Sequence, residues 1–196
     1  MTSEQTERGL DLFRHGDFPI YTLTFARNLA PAELLSRMGV DGATVAMRDP
    51  VDMSDDFGDD LYDDEEPVVR AGTTGAWAWA WEEGGVHGLD ARILRGVSAG
   101  TEVVALHYNE KPMYAFAYAV EGDVVTTFDT LMAVSPEGSD PKRLAQHMRR
   151  AGLVAGEWAE LYGVLALVED AFGIRFTREQ LNDEPRLSGR LRPLPE

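Results

Sequence analysis

The alternation of tryptophan and alanine in residues 75–83 is the feature that most constrains the fold of this chain. Trp77, Trp79 and Trp81 occupy every second position, with alanines between them. Side chains alternate between the two faces of a β-strand, so a strand would place the three indoles on one face and the alanine methyl groups on the other. We therefore predict a strand over residues 74–82.

Residues 113–120 have the same design, with Tyr114, Phe116 and Tyr118 alternating with alanine. If the two strands share one sheet with matching faces, six rings cover one side. The other side is a shallow alanine surface that a helix or second layer can approach closely. Burial of large rings is favourable, so we predict that the rings form a core beneath C-terminal helices. The alternative is a partly open groove in which rings at the strand ends stack on a ligand or partner.

Shorter patterns complete the predicted fold. Further strands are predicted at 21–25, 43–47, 102–108 and 124–128, and helices at 32–38, 91–97, 142–151 and 157–172. These elements predict an α+β fold: a mostly antiparallel sheet of five to six strands with helices packed on it and a helical C-terminal part.

The length of 196 residues suits one domain. We expect a loose lead-in at residues 1–18, a single α+β domain at residues 19–183 and an irregular basic tail at residues 184–196. Within the domain, residues 48–68 are predicted to form an acidic mobile loop.

Acidic residues are concentrated in one stretch of the chain. The formal net charge is −16, and residues 49–66 contain ten acidic residues and no basic one. Binding to nucleic acids or to anionic membranes depends on Lys and Arg, so this charge argues against both. It favours another protein with a basic surface as the partner, and it leaves the oligomeric state open.

The acidic stretch has two interpretations. Its charge density resists compaction, which is typical of a solvated loop. Alternatively, it is a recognition segment whose apolar residues enter a groove of a partner while its carboxylates contact Arg and Lys. The candidate partner-binding residues are Asp55, Asp56, Phe57, Asp59, Asp60, Leu61, Tyr62, Asp63 and Asp64.

The sequence contains no catalytic motif that we can identify. Cysteine is absent, the four histidines are scattered, and neither a Gly-x-Ser-x-Gly elbow nor a phosphate-binding glycine loop occurs. We therefore predict no catalytic residue, no metal site and no cofactor. The alternative is a small enzyme or ligand-binding protein that uses the aromatic strands and the turn at residues 82–90, after the tryptophan strand. There, carboxylates and a histidine beside apolar surface could have shifted pKa values. Its candidate residues are Trp81, Glu82, Glu83, His87 and Asp90.

The location of the protein is expected to be the cytoplasm. No apolar run approaches the roughly 20 residues of a membrane span. Residues 1–8 are polar and acidic, so no signal peptide is expected, and the absence of cysteine agrees with a reducing compartment.

Several motifs resemble those of a family of actinobacterial proteins of unknown function. They are Trp79-Ala80-Trp81-Glu82-Glu83-Gly84-Gly85-Val86-His87-Gly88, Ile93-Leu94, Ser98-Ala99-Gly100-Thr101, Leu34-Leu35-Ser36-Arg37-Met38-Gly39 and Gly138-Ser139-Asp140-Pro141. The resemblance spans about residues 20–181 and implies no activity. The acidic stretch is denser here than in the family pattern. Together with the charge distribution, this leads us to expect a cytoplasmic protein-binding module, a regulatory or immunity-type partner protein that acts through its acidic segment.

Overall fold

A computed structural model describes residues 9–10, 13, 20–58, 66–109, 111, 113–159, 162–177, 180–181 and 185–194. Their strands are β1 (Tyr21–Arg27), β2 (Ala46–Arg48), β3 (Val68–Thr74), β4 (Trp77–Glu83), β5 (Glu102–Asn109), β6 (Met113–Val120), β7 (Asp123–Asp129) and β8 (Arg186–Arg190). Their helices are α1 (Pro31–Met38), α2 (Pro50–Phe57), α3 (Ala91–Val97), α4 (Ala145–Arg150) and α5 (Gly163–Phe172), and a 3-10 turn spans His87–Leu89. No helix within these ranges is long and apolar enough to cross a bilayer.

The described strands form one sheet in the order β2-β8-β3-β4-β1-β5-β6-β7, and every neighbouring pair is antiparallel. The α+β class and the antiparallel sheet are confirmed, but the predicted number of five to six strands is wrong, because this sheet has eight. The sequence does not predict β3 and β8. Strand β3 contains Gly72, which interrupts its pattern of larger side chains. A β-carbon at position 72 would lie only 2.6 Å from the indole of Trp79 on the neighbouring strand.

The C-terminal part is mostly strand and irregular structure, so the prediction that it is helical is wrong. After the short helices α4 and α5, the chain returns to the sheet as β8, between β2 and β3. The segment predicted as an irregular basic tail, residues 184–196, thus contains a strand that is paired on both sides. No apolar alternation marks β8, because close packing requires small residues there. Ser188 is fully buried, and a β-carbon at Gly189 would lie 2.6 Å from Cγ1 of Val40.

The rings lie on one side of the sheet, which we call the aromatic face, as the alternation predicts. This face packs against α5, and Phe176 contacts Trp79 edge-on with ring centroids 4.9 Å apart. The strand residues of this core are Tyr21, Leu23, Phe25, Trp77, Trp79, Trp81, Val104, Leu106, Tyr114, Phe116, Tyr118, Val125 and Phe128. All of them are buried, so the predicted aromatic core is confirmed.

The opposite side of the sheet, which we call the methyl face, is covered by α1 and α3. Leu34, Leu35 and Met38 of α1 and Leu94 and Val97 of α3 pack on it. The strand residues in this layer include Ala26, Ala71, Ala78, Ala80, Ala105, Ala117 and Ala119. Because alanine side chains are short, the two helices lie close to the sheet.

Candidate functional site

The first half of the predicted acidic loop is a helix, α2. Asp49 caps it: its side chain accepts hydrogen bonds from the backbone N–H of Val51 at 2.8 Å and of Asp52 at 2.9 Å. The carboxylate of Asp52 accepts in return from the Asp49 backbone N–H, and Pro50 begins the helix. This reciprocal capping box orders residues 50–57 despite their charge. Residues 50–57 are therefore helical, where the sequence predicts a loop.

The inner side of α2 is attached to the sheet. Met53 and Phe57 are buried against Val68 of β3. Arg48 of β2 donates from Nε to Asp56 at 2.7 Å, and its guanidinium lies 4.6 Å from the centre of the Phe57 ring. Phe57 thus packs within its own protein and has no free ring surface for a partner.

The outer side of α2 and the neighbouring edge strand are exposed. Met47 of β2 is 60% exposed and Val51 of α2 is 66% exposed, and the carboxylates of Asp52 and Asp55 lie on the same helix as Val51. Among the described strands, β2 pairs with β8 alone. We call this region, formed by Met47 of β2 and by Val51, Asp52 and Asp55 of α2, the acidic edge. Met47 lies on the methyl face of β2, whereas Arg48 on the other face contacts α2. The other candidate partner-binding residues, Asp59, Asp60, Leu61, Tyr62, Asp63 and Asp64, lie outside the described residues.

A second cluster of polar residues is buried under the 3-10 turn. Glu82 of β4 is fully buried on the methyl face. Its carboxylate accepts hydrogen bonds from the backbone N–H of His87 at 2.9 Å and of Gly88 at 2.8 Å. In the neighbouring strand, the Thr22 hydroxyl donates to the carbonyl of Gly85 at 2.6 Å. Glu82 and Thr22 therefore tie the turn to the sheet.

Strand register adds a further histidine to this cluster. Thr22 is opposite Glu82 on one side and opposite His107 of β5 on the other. Because the single proton of the Thr22 hydroxyl is given to Gly85, its oxygen accepts from Nδ1 of His107, 2.9 Å away. No local motif in the sequence marks Thr22 or His107, since pairing of distant strands brings them together.

Burial controls the protonation of these groups. It raises the pKa of Glu82 to about 7, although the two backbone N–H groups favour the charged form. Burial lowers the pKa of His87, while the Arg192 backbone and Asp90 have smaller effects that raise it. Burial also lowers the pKa of His107. Nδ1 of His87 is 3.8 Å from the Glu82 carboxylate, which is too far for a hydrogen bond.

The structure separates the residues of the predicted turn site. Glu82 and His87 come together, but Trp81 belongs to the aromatic face, where it stacks on Tyr21 at 4.8 Å between ring centroids. Glu83 lies 3.8 Å from the guanidinium of Arg70, and Asp90 caps α3 through the Arg92 N–H. Within the described part of the chain, no group of three or more His, Asp or Glu could hold a metal ion.

The chain matches a known protein family over most of its length. A model of a family of unknown function, DUF6461, matches residues 9–187. The chain belongs to the DUF6461 family. The resemblance inferred from the sequence is thereby confirmed at the level of a family of unknown function, and the match includes the acidic stretch. No curated protein and no solved structure matches the chain.

Proposed function

We propose that this protein is a binding module for a partner protein with a basic surface, and that the acidic edge is its contact surface. One observation supports this most directly: α2 is fixed to the sheet by Met53 and Phe57 while Val51, Asp52 and Asp55 face solvent. The partner would meet a contact surface that is already ordered. Flexible segments bind more weakly because they lose conformational entropy when they become ordered. This free-energy cost is therefore smaller for the helical half of the acidic segment.

Charge distribution supports the same proposal. Residues 49–66 supply ten of the chain's 34 acidic residues and none of its 18 basic ones. Such concentration attracts a basic surface over a distance of about one Debye length and raises the association rate at low salt. The exposed side chain of Val51 adds apolar contact area on the same helix as the carboxylates, and Met47 is exposed on the adjoining edge strand. We propose that the protein acts in the cytoplasm as a regulatory or immunity-type partner.

The alternative, an enzyme or ligand-binding site at Glu82 and His87, has weaker support. A carboxyl with a pKa of about 7 is typical of catalytic sites. Here, however, both carboxylate oxygens are engaged by backbone N–H groups of the turn, and both side chains are buried. A role in holding the turn explains these contacts without a substrate.

Affinity purification from the source cells would test the proposal with three forms of the full-length chain. The first is the native sequence. The second, Met47→Ser with Val51→Ser, Asp52→Asn and Asp55→Asn, alters exposed side chains of the acidic edge and keeps at position 52 a side-chain oxygen that can accept from the Asp49 N–H. The third, Glu121→Gln with Glu157→Gln, removes two exposed charges elsewhere as a control for net charge.

We expect the native and control forms to retain the same specific partner at low salt, and the acidic-edge variant to lose it. Thermal unfolding of all three forms would confirm that the fold is unchanged. Retention of that partner by the acidic-edge variant would contradict the proposal. Substituting Asp59, Asp60, Asp63 and Asp64 by Asn would then measure how much the second half of the segment contributes.

A further inference from the structure

A groove opens on the methyl face at the other end of the sheet. Its volume is about 510 Å³. Ala115 and Ala117 of β6 and Thr127 of β7 contribute to its floor, Leu94 of α3 lines one side, and Leu131 and Met132 line the other. We call it the β7 groove. Strands β2 and β7 are the two ends of the sheet. Seven strand spacings therefore place the β7 groove about 30 Å from the acidic edge.

The β7 groove exists because the side chains on this part of the sheet are short. Ala115 and Ala117 of β6 have only methyl side chains. Helix α3 covers the part of this face nearer the centre of the sheet with Leu94 and Val97. Beyond α3, the side chains of Leu131 and Met132 remain 57% and 64% exposed. Large apolar side chains grouped at the rim of a groove are typical of a surface that a partner covers.

The charges of the β7 groove define the chemistry of its occupant. The carboxylates of Asp129 and Glu137 line it, and neither forms an ion pair with a described residue. No Lys or Arg occurs among its described lining residues. The Asp129 side chain accepts a hydrogen bond from the Leu131 N–H, which still leaves its negative charge without a basic partner. An apolar ligand with basic groups at its side would complement this lining.

The secondary structure of the occupant follows from the outer edge of β7. Thr127 exchanges backbone hydrogen bonds with Glu137 at 2.9 and 2.8 Å, and Ser139 and Asp140 donate to Val124 and Val125. Residues 137–140 therefore occupy the edge where an additional strand would pair. A helix needs no such backbone pairing, and its side chains can fill a groove with an alanine floor.

We propose that the β7 groove is a docking site for an amphipathic helix of a partner protein, with apolar anchors between α3 and Leu131–Met132 and with Lys or Arg beside Asp129 and Glu137. A second copy of this chain fits less well, because its net charge is also strongly negative. The β7 groove is separate from the acidic edge, so the two proposals can fail independently.

Two-dimensional NMR of the full-length, isotope-labelled chain would test this with a defined probe. The probe is a synthetic amphipathic helix of leucine and lysine, about four turns or 14 residues long. A peptide of the same composition, rearranged to have no apolar face, controls for charge. We expect the amphipathic peptide alone to shift the amide signals of Ala115, Thr127, Leu131 and Met132.

Substitutions would then localise the binding. Leu131→Ser with Met132→Ser should weaken binding of the amphipathic peptide about tenfold or more, corresponding to about 1.4 kcal/mol. Asp129→Asn with Glu137→Gln should weaken it several-fold and reduce its salt dependence. Met47→Ser with Val51→Ser, at the acidic edge, should leave it unchanged.

Three outcomes would overturn the proposal. The first is equal binding of the rearranged peptide, which would show attraction to net charge alone. The second is a set of shifts at the acidic edge instead of the β7 groove. The third is that a small apolar amine, such as phenethylamine, binds in the β7 groove while the peptide does not. That result would indicate a small-molecule site.

Discussion

The α-carbon of Gly88 lies directly against the hydroxyl oxygen of Thr24, so a β-carbon at position 88 would overlap that oxygen. The same β-carbon would lie 2.9 Å from Oε1 of Glu82. Thr24 is buried in β1, and the Glu82 oxygen accepts the hydrogen bond of the Gly88 N–H. The Glu82 oxygen cannot move away without breaking the hydrogen bond that holds the turn. Close approach, rather than backbone conformation, therefore requires glycine here.

Replacing Gly88 by alanine should lower the free energy of unfolding by about 1–3 kcal/mol, because the methyl group forces the turn away from Thr24 and Glu82. Gly96 is a matched control. It lies in α3, is exposed, and a β-carbon there would come no closer than 3.8 Å to the Arg37 carbonyl. Gly96→Ala should raise stability by about 0.5–1 kcal/mol. Urea unfolding measures both changes, and equal effects would contradict the packing of the turn.

Glu82 should make the native chain less stable as pH rises. Burial raises its pKa from 4.5 to about 7, so between these values the folded chain retains a proton that the unfolded chain has released. The free energy of unfolding should therefore fall across this range, by about 3 kcal/mol at most from this group. Glu82→Gln cannot titrate and should lack this contribution.

The two buried histidines, His87 and His107, change the free energy of unfolding with pH in the opposite direction to Glu82. The lowered pKa values of His87 and His107 cause stability to be lost as pH falls below 6.5. The native chain and the Glu82→Gln variant both contain these histidines. The difference between their free energies of unfolding, measured from pH 4.5 to 8, therefore reports the contribution of Glu82 to first order. A difference that stays constant over that range would show that the Glu82 carboxyl is not desolvated.

Two tryptophans should differ sharply in their contribution to stability. Trp79 is fully buried beneath Phe176, whereas Trp158 is 69% exposed. Trp79→Ala should lower the free energy of unfolding by about 3–5 kcal/mol, because it leaves a large cavity in the aromatic core. Trp158→Ala should change it by less than about 0.5 kcal/mol. Iodide should quench the fluorescence of Trp158 in the native state, and quenching that persists unchanged in Trp158→Ala would contradict its exposure.

Arg48→Lys should loosen α2 while leaving the centre of the sheet intact. Arg48 donates to Asp56, to the carbonyls of Thr44 and Ser188, and stacks on Phe57. Lysine retains the charge but cannot reproduce this planar set of donors. Hydrogen exchange of residues 50–57 should become about tenfold faster, corresponding to about 1.4 kcal/mol, with β4 and β5 unchanged. Arg27→Lys, at a more exposed ion pair with Glu102, is the control and should have little effect.

Local periodicity explains how much of the fold could be predicted. The alternation at Trp77, Trp79 and Trp81 predicts both faces of the sheet correctly. Helices α1 and α3 follow from recognisable starts at Pro31 and Asp90. These features depend on neighbouring residues only, which is why a single sequence contains them.

Features that depend on distant contacts could not be predicted. Strand β8 is stabilised by pairing on both sides, and its Ser and Gly fit spaces that other segments create. His107 joins Glu82 only through the register of β1 with its two neighbours. At α2, the signal was present: Asp49-Pro50 followed by Asp52 is a helix start, but the density of acidic residues favoured a loop in the prediction.

The position of β8 links the acidic edge to the order in which the chain is synthesised. Within the described sheet, β2 is joined to β3 only through residues 186–190, so the ribosome must synthesise these residues before β2 can join the sheet. A chain terminated before residue 186 would lack the strand that joins β2 to the sheet, so the acidic edge would be incomplete there. If the proposed function holds, such chains would compete poorly with finished ones for the partner.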